Sequence, residues 1–139
     1  MPSGSFITSQ ERQPPSFLLH RQIGAIPHPE GVEFRIWAPN CSRMGVMIQY
    51  GGSNKHIPMN EDEALGKGWF SAVAQLNQDE SKELLYQYAL PSGNLLPDIL
   101  SRYQPHGVHG PSQFVDPRQF SWNDSDWRGV PKSDLILYE

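Results

Sequence analysis

The strongest constraint on the fold is a two-residue alternation of apolar and polar side chains that recurs in four short segments. In the stretch GVEFRIWAP, the apolar residues Val32, Phe34 and Ile36 occupy every second position. Because successive side chains of a β-strand point to opposite faces of a sheet, this period predicts half-buried strands. Three further sets show the same period: Met44, Val46, Ile48 and Tyr50; Phe70, Ala72, Ala74 and Leu76; Leu84, Tyr86, Tyr88 and Leu90.

Turn-forming residues separate these strands at intervals of about eight to twelve residues, which is typical of two-sheet β proteins. The turn stretches are HPEG, YGGSN, NQDESK and PSGN, and the 13 prolines and 12 glycines also favour turns over helix. Only NEDEALGKG and DESKE could form short helical turns. We therefore predict an all-β fold, an immunoglobulin-like antiparallel β-sandwich over residues 17–98, preceded by a flexible N-terminal tail over residues 1–16.

The alternation stops after Asp98. Residues 99–133 contain four prolines and no regular period, and a structureless stretch of this length in a compact domain indicates that it lies on another body. Residues 134–139 (DLILYE) then give a continuous apolar run, typical of a strand that is buried on both faces of a parallel sheet. We expect 99–133 to be an irregular joining segment, 134–139 to begin a further domain, and the sequence to be part of a longer chain.

Charge and composition exclude several classes of function. The net charge is −4 and the 11 basic residues are scattered, so no positive face is available for nucleic acid. No apolar run approaches the roughly 20 residues of a membrane helix, and no secretory signal begins the sequence, so we expect a cytoplasmic protein without membrane contact. Cys41 is the only cysteine. No phosphate-binding glycine loop or nucleophile elbow is present, and we predict no cofactor.

His106 and His109 have the spacing H-x-x-H, which on a helix could bind zinc. The neighbouring Pro105 and Gly107 prevent a helix at this point, and no third ligand follows nearby. The sequence therefore predicts no metal site. Loop histidines that hydrogen-bond to the backbone are the favoured interpretation.

The tryptophans are the most informative candidate binding residues. Trp37 and Trp69 both alternate away from the predicted core, so each indole has one face in water. Such a ring can stack on the apolar face of a sugar while polar neighbours bind its hydroxyls, which makes both candidate carbohydrate-binding residues. The alternative is that each covers the rim of the sandwich or packs on a neighbouring domain. Trp122 and Trp127 are interpreted as anchors of the irregular segment, with binding as the alternative.

Taken together, GVEFRIWAP, GWFSAVAQL and YQYAL are similar to the N-terminal β-sandwich of alpha-amylase-superfamily enzymes that act on α-1,4/1,6-glucans. That sandwich is classed with carbohydrate-binding module family 48. The stretch LPDILSRYQPHGVHGPSQFVDP, followed by FSWNDSDWRGVP and DLILYE, strongly resembles the join between sandwich and barrel in malto-oligosyltrehalose trehalohydrolases. The resemblance extends from about Gly24 to Glu139.

The resemblance implies a parent glycoside hydrolase that cleaves the α-1,4 bond next to a terminal trehalosyl unit. The catalytic carboxylates of such enzymes lie at strand ends of a (β/α)8 barrel, whose first strand DLILYE resembles. None of those positions falls within residues 1–139, so no catalytic residue is expected here. The implied partners are the chain's own barrel and a maltooligosaccharide or maltooligosyl-trehalose.

The joining segment carries hydrogen-bonding and aromatic side chains without a core to bury them. We predict that these side chains line an interface with the barrel or, alternatively, a substrate groove. The set comprises Arg102, Tyr103, Gln104, His106, His109, Trp122 and Trp127.

Two other functions stay open on the sequence. The same sandwich could come from a glucan branching or debranching enzyme. It could also be a stand-alone glycan-binding module that acts by tethering.

Overall fold

The protein is represented by a computed structural model that describes residues 23–136 and Tyr138. Within these residues the chain forms eight strands, one short helix and two 3-10 turns. The elements are β1 Gly24–His28, β2 Gly31–Trp37, β3 Met44–Tyr50, β4 Ser53–Glu61, β5 Trp69–Gln75, α1 Gln78–Lys82, β6 Leu85–Ala89, β7 Leu95–Leu96, β8 Ser112–Gln113, and 3-10 turns Pro117–Gln119 and Lys132–Asp134. The predicted all-β class is confirmed.

The strands pair antiparallel in the order β1-β2-β5-β4-β3-β6-β7, and β8 also pairs with β6. Strand β4 joins the two halves of this curled sheet, because its first part pairs with β3 while Asn60 and Glu61 pair with β5. The halves face each other. The rings of Phe34 and Tyr86 lie 5.0 Å apart, and the Tyr88 hydroxyl donates a 3.1 Å hydrogen bond to the carbonyl of Arg35.

The core lies between these facing halves and contains the side chains that the alternation predicts. Val32, Phe34 and Val46 have no solvent exposure. The remaining predicted positions are buried, or half-buried against the same cluster. Apolar burial is worth about 25 cal/mol per Å² of surface removed from water, so this cluster is the main source of stability.

The start of the short helix α1 is determined by capping residues in the local sequence. Asn77 Oδ1 accepts hydrogen bonds from the backbone N–H groups of Asp79 and Glu80, and the Asn77 backbone N–H donates to Glu80 Oε2. This reciprocal capping satisfies N–H groups that a helix start otherwise leaves unpaired. The helical turn predicted at DESKE is thereby confirmed. At NEDEALGKG, Asn60 and Glu61 extend β4. The helical turn there is confined to residues 62–66, where the backbone N–H groups of Leu65 and Gly66 donate to the carbonyl of Asp62.

Two predicted boundaries lie partly or wholly beyond these residues. The N-terminal tail, 1–16, is outside the described residues, as are Leu137 and Glu139. Lys132–Asp134 forms a 3-10 turn, and the barrel strand at 134–139 stays a prediction. In the part of the chain with described structure, no helix is long and apolar enough to cross a membrane.

Candidate functional site

Trp37 and Trp69 are brought together by the pairing of β2 with β5. They are direct cross-strand partners at the end of the ladder. Residues directly opposite each other in an antiparallel pair place their side chains on the same face, with Cβ atoms about 4.5–5.5 Å apart. The Trp37 side chain is 55% exposed and Trp69 is half-buried. The two indoles predicted separately from the sequence therefore belong to one surface, which we call the tryptophan pair.

Charged side chains flank the tryptophan pair along β2. Arg35 donates from Nε and Nη2 to the two carboxylate oxygens of Glu33, at 2.7 and 3.0 Å. Both residues lie on the same face of β2 as Trp37, since the three alternate with the core side chains. A two-point ion pair of this kind holds both groups in a fixed orientation. The surface thus combines exposed aromatic area with oriented hydrogen-bonding groups.

The predicted joining segment divides into two parts, of which the first is hydrogen-bonded to the sheets and the second is mostly exposed. The first part is fastened to the sheets by a buried carboxyl group. Asp98 is 5% exposed and its Oδ2 accepts a 2.7 Å hydrogen bond from the Tyr86 hydroxyl. Its backbone N–H donates to the Oγ of Ser112 at 3.0 Å, and its Oδ1 accepts from the backbone N–H of Leu100.

The loop that follows is closed by its own hydrogen bonds. The backbone N–H of Gln113 donates to the carbonyl of Tyr103 at 2.8 Å. Within the loop, Gln104 Nε2 donates to the carbonyl of Val108 at 3.1 Å. The backbone N–H of Phe114 also reaches the carbonyl of Leu84, at 2.9 Å. Residues 98–114 are therefore an ordered extension of the β fold.

The predicted interface residues of this loop point outward for the most part. Arg102, Tyr103, His106 and His109 are exposed, and Gln104 is half-buried. Neither imidazole makes a hydrogen bond to another described residue, so the expected histidine-to-backbone bonds are not seen. No cluster of three metal-ligating side chains occurs within residues 23–136.

Trp122 and Trp127 lie in the second part of the segment and are strongly exposed, at 60% and 67%. Trp122 makes an edge-to-face contact with Phe120, with ring centroids 4.8 Å apart. Neither indole packs into a core of the described chain. Their predicted role as anchors of the segment stays a prediction, since both indoles are largely exposed in the described chain.

A third charged feature, Asp116 with Arg118, was missed from the sequence. The Asp116 carboxylate, 9% exposed, accepts hydrogen bonds from the backbone N–H, Nε and Nη2 of Arg118. Burial by itself raises the pKa of Asp116, but the hydrogen bonds and charge of Arg118, and the charge of Arg102, bring it below its usual value. The signal was present in the sequence, because Asp followed by Pro is a typical start of a helical turn.

Comparison with known proteins shows which proteins this chain resembles. No family model matches the chain. A crystal structure described as an alpha amylase of Salmonella typhimurium is similar over 80% of this chain and 18% of that one, with 31% identity and a TM-score of 0.60. The chain is therefore similar in fold and sequence to one part of that much longer protein.

Curated proteins with more specific names also match the chain. The malto-oligosyltrehalose trehalohydrolase of Saccharolobus solfataricus is 34% identical over 79% of this chain, and that of Deinococcus radiodurans is 30% identical over 85%. The chain spans only about 18% of the length of either relative. The resemblance to malto-oligosyltrehalose trehalohydrolases is confirmed. Branching enzymes named GlgB also match, at 27–31% identity, and a pullulanase structure of Paenibacillus barengoltzii matches at 25%.

Proposed function

We propose that this chain is the non-catalytic, N-terminal accessory part of a cytoplasmic malto-oligosyltrehalose trehalohydrolase. The parent would hydrolyse the α-1,4-glucosidic bond next to the terminal trehalose unit. The observation that carries this proposal is the 34% identity to a trehalohydrolase over 79% of this chain but only 18% of the relative. An all-β segment that matches only 18% of a larger enzyme is consistent with an accessory domain of that enzyme.

In this proposal the β fold is an immunoglobulin-like sandwich over residues 17–98, and 134–139 is the first strand of a (β/α)8 barrel. Residues 99–133 then contact that barrel. Their exposure supports this role, because large aromatic side chains in water are typical of surfaces that a partner covers. Tyr103, Trp122 and Trp127 are the central contacts we propose, with Arg102, Gln104, His106 and His109 around them.

We propose the tryptophan pair as the glucan-contacting surface of the accessory domain. Aromatic rings stack on the apolar faces of sugars, and the neighbouring ion pair of Arg35 with Glu33 offers groups for hydroxyls. The ligand would be a maltooligosaccharide or maltooligosyl-trehalose. The competing role is a rim contact, in which the indoles pack on the neighbouring domain and bind no sugar.

The activity is tested on the parent enzyme expressed from the gene that encodes this chain and whatever follows Glu139. We expect trehalose to be released from maltotriosyl-trehalose, with no change in the branching of amylose. Formation of α-1,6 branches would instead assign the chain to a branching enzyme, the class of the GlgB relatives. Debranching of pullulan would assign it to the class of the pullulanase structures. A reading frame that closes at Glu139 would leave only a stand-alone glycan-binding module.

The barrel contact has its own test, which compares one substitution in two contexts. Trp122→Ser and Trp127→Ser should lower the melting temperature of the parent enzyme by several degrees, because a buried indole contact is lost. In the 139-residue chain the same substitutions should leave the melting temperature unchanged, since both indoles are exposed there. An equal effect in both contexts would contradict the proposed interface.

A further inference from the structure

A polar groove lies away from the tryptophan pair, between segments that are distant in sequence. Its larger part has a volume of about 320 Å³ and lies between the β1–β2 turn, the start of α1 and the stretch after Phe114. A smaller part of about 180 Å³ continues toward Lys82 and Gln113. The two parts share Ser81, Phe114, Asp116 and Gln119 in their walls. We call the whole depression the Gln119 groove.

The walls of the Gln119 groove are fixed in place before any ligand arrives. On one side, a Cβ at Gly31 would lie 2.3 Å from the carbonyl oxygen of Ala74, so the start of β2 packs directly against the end of β5, just before α1. The backbone N–H of Leu76 also donates to the carbonyl of Glu30 at 3.0 Å. On the other side, the backbone N–H of Phe114 donates to the carbonyl of Leu84, at 2.9 Å. Rigid walls lower the ordering cost of binding.

The groove presents hydrogen-bonding groups that the fold does not use. The side-chain amides of Gln78 and Gln119 make no hydrogen bond within residues 23–136. His28 accepts from the backbone N–H of Glu30 at Nδ1, which leaves the proton of the neutral ring on Nε2 as a further donor. Each amide offers both a donor and an acceptor, which is the pairing that a sugar hydroxyl requires.

The paired charges of the groove indicate a neutral ligand. Arg118 and Asp116 are the two charged residues that line the larger part, and they neutralise each other through a direct 2.8 Å contact. Lys82, which lines the smaller part, is paired with Asp79 at 2.7 Å. A site for phosphate or another anion would instead need positive charge without a partner. The volume of the larger part lies at the lower end of the range for small-molecule sites, about 300–1,000 Å³.

We infer that the Gln119 groove is a second binding site, separate from the tryptophan pair, for a neutral, hydroxyl-rich oligosaccharide. Gln78 and Gln119 bind its hydroxyl groups, and His28 contributes a further donor. The choice of an α-1,4-glucan as ligand rests on the proposed function, whereas the groove and its polarity do not.

The test is a titration of the isotope-labelled 139-residue chain with maltohexaose, followed by nuclear magnetic resonance. We expect shifts of the side-chain amide signals of Gln78 and Gln119 that saturate with a single affinity. The double variant Gln78→Ala/Gln119→Ala should weaken that affinity at least fivefold. Gln49→Ala, which removes an amide from strand β3 outside the groove, is the matched control and should not weaken it.

The outcomes separate this inference from the proposed role of the tryptophan pair. Shifts of the Trp37 and Trp69 indole signals without any change at Gln78 and Gln119 would overturn the groove and support the tryptophan pair. Shifts at Gln78 and Gln119 alone would support the groove and count against the tryptophan pair. No shift at either place would overturn both proposed binding surfaces. A parallel titration with inorganic phosphate that moves the groove signals, when maltohexaose does not, would assign the groove to anions and overturn the inference.

Discussion

The hydroxyl of Tyr86 and the carboxylate of Asp98 form a buried 2.7 Å hydrogen bond that joins β6 to the segment after β7. Ser112, which is fully buried, completes the arrangement by accepting from the Asp98 backbone N–H. A buried carboxyl group is stable only when its oxygens are hydrogen-bonded. These three residues therefore decide whether the loop at 101–110 is held in one position relative to the sheets.

Tyr86→Phe removes the hydroxyl and leaves Oδ2 of Asp98 without this donor. We expect the free energy of unfolding to fall by about 1.5–3 kcal/mol, the range for hydrogen bonds to charged groups. Urea denaturation of the 139-residue chain measures this. Tyr50→Phe is the matched control, because the Tyr50 hydroxyl has no hydrogen-bond partner among residues 23–136. A loss equal to that of the control would show that the Asp98 carboxyl does not depend on Tyr86.

Amide hydrogen exchange should distinguish the two parts of the predicted joining segment. The N–H groups of Ser101, Gln113 and Phe114 donate to backbone carbonyls at 2.8–3.1 Å, so they should exchange slowly. The exposed stretch at 120–130 should exchange faster by at least tenfold, since only Phe120 and Trp127 in it donate backbone N–H bonds in the described structure. Uniform protection from 99 to 130 would contradict this division.

Asp116 makes the stability of the segment around Phe114 depend on pH. Its pKa in the folded chain is lowered below the usual 3.8, so its contribution is fully present above about pH 4. That contribution is lost as the pH falls through the lowered value, because protonation removes the charge that Arg118 binds. Asp116→Asn should therefore destabilise the chain at pH 6 and have a smaller effect at pH 3, as measured by thermal unfolding.

Asp126→Asn is the control for the pH experiment, since Asp126 is exposed and has no hydrogen-bond partner in the described part of the chain. It should leave the melting temperature unchanged at both values. An Asp116→Asn effect that is the same at pH 3 and pH 6 would show that the charge of the carboxylate contributes nothing.

The core could be predicted from the sequence because its signal is local. The side chains of Val32, Phe34 and Ile36 follow the two-residue period that the pleat of a strand imposes. Strand β4 could not be predicted in this way, since nearly all of its side chains are exposed and show no apolar alternation. Its pairing with both β3 and β5 is decided by its neighbours.

The candidate sites were predictable only in part, for a related reason. Alternation showed that Trp37 and Trp69 point away from the core, but their pairing depends on the register between β2 and β5. The bond between Tyr86 and Asp98 likewise joins residues whose proximity comes from the folded chain. The direction of a side chain within one strand can be predicted from the sequence, whereas a contact between side chains of two strands requires the folded structure.

The role of the tryptophan pair can be decided by retention on an amylose gel. Trp37→Ala should reduce the affinity of the 139-residue chain roughly tenfold, because an aromatic anchor in a binding surface contributes more than about 1 kcal/mol. The fold should survive, since the Trp37 side chain is 55% exposed and lies outside the core cluster. Trp122→Ala removes an equally exposed indole from the predicted barrel interface and should leave the retention unchanged. If both variants bind amylose as tightly as the unsubstituted 139-residue chain does, the tryptophan pair is a rim contact and not a sugar-binding surface.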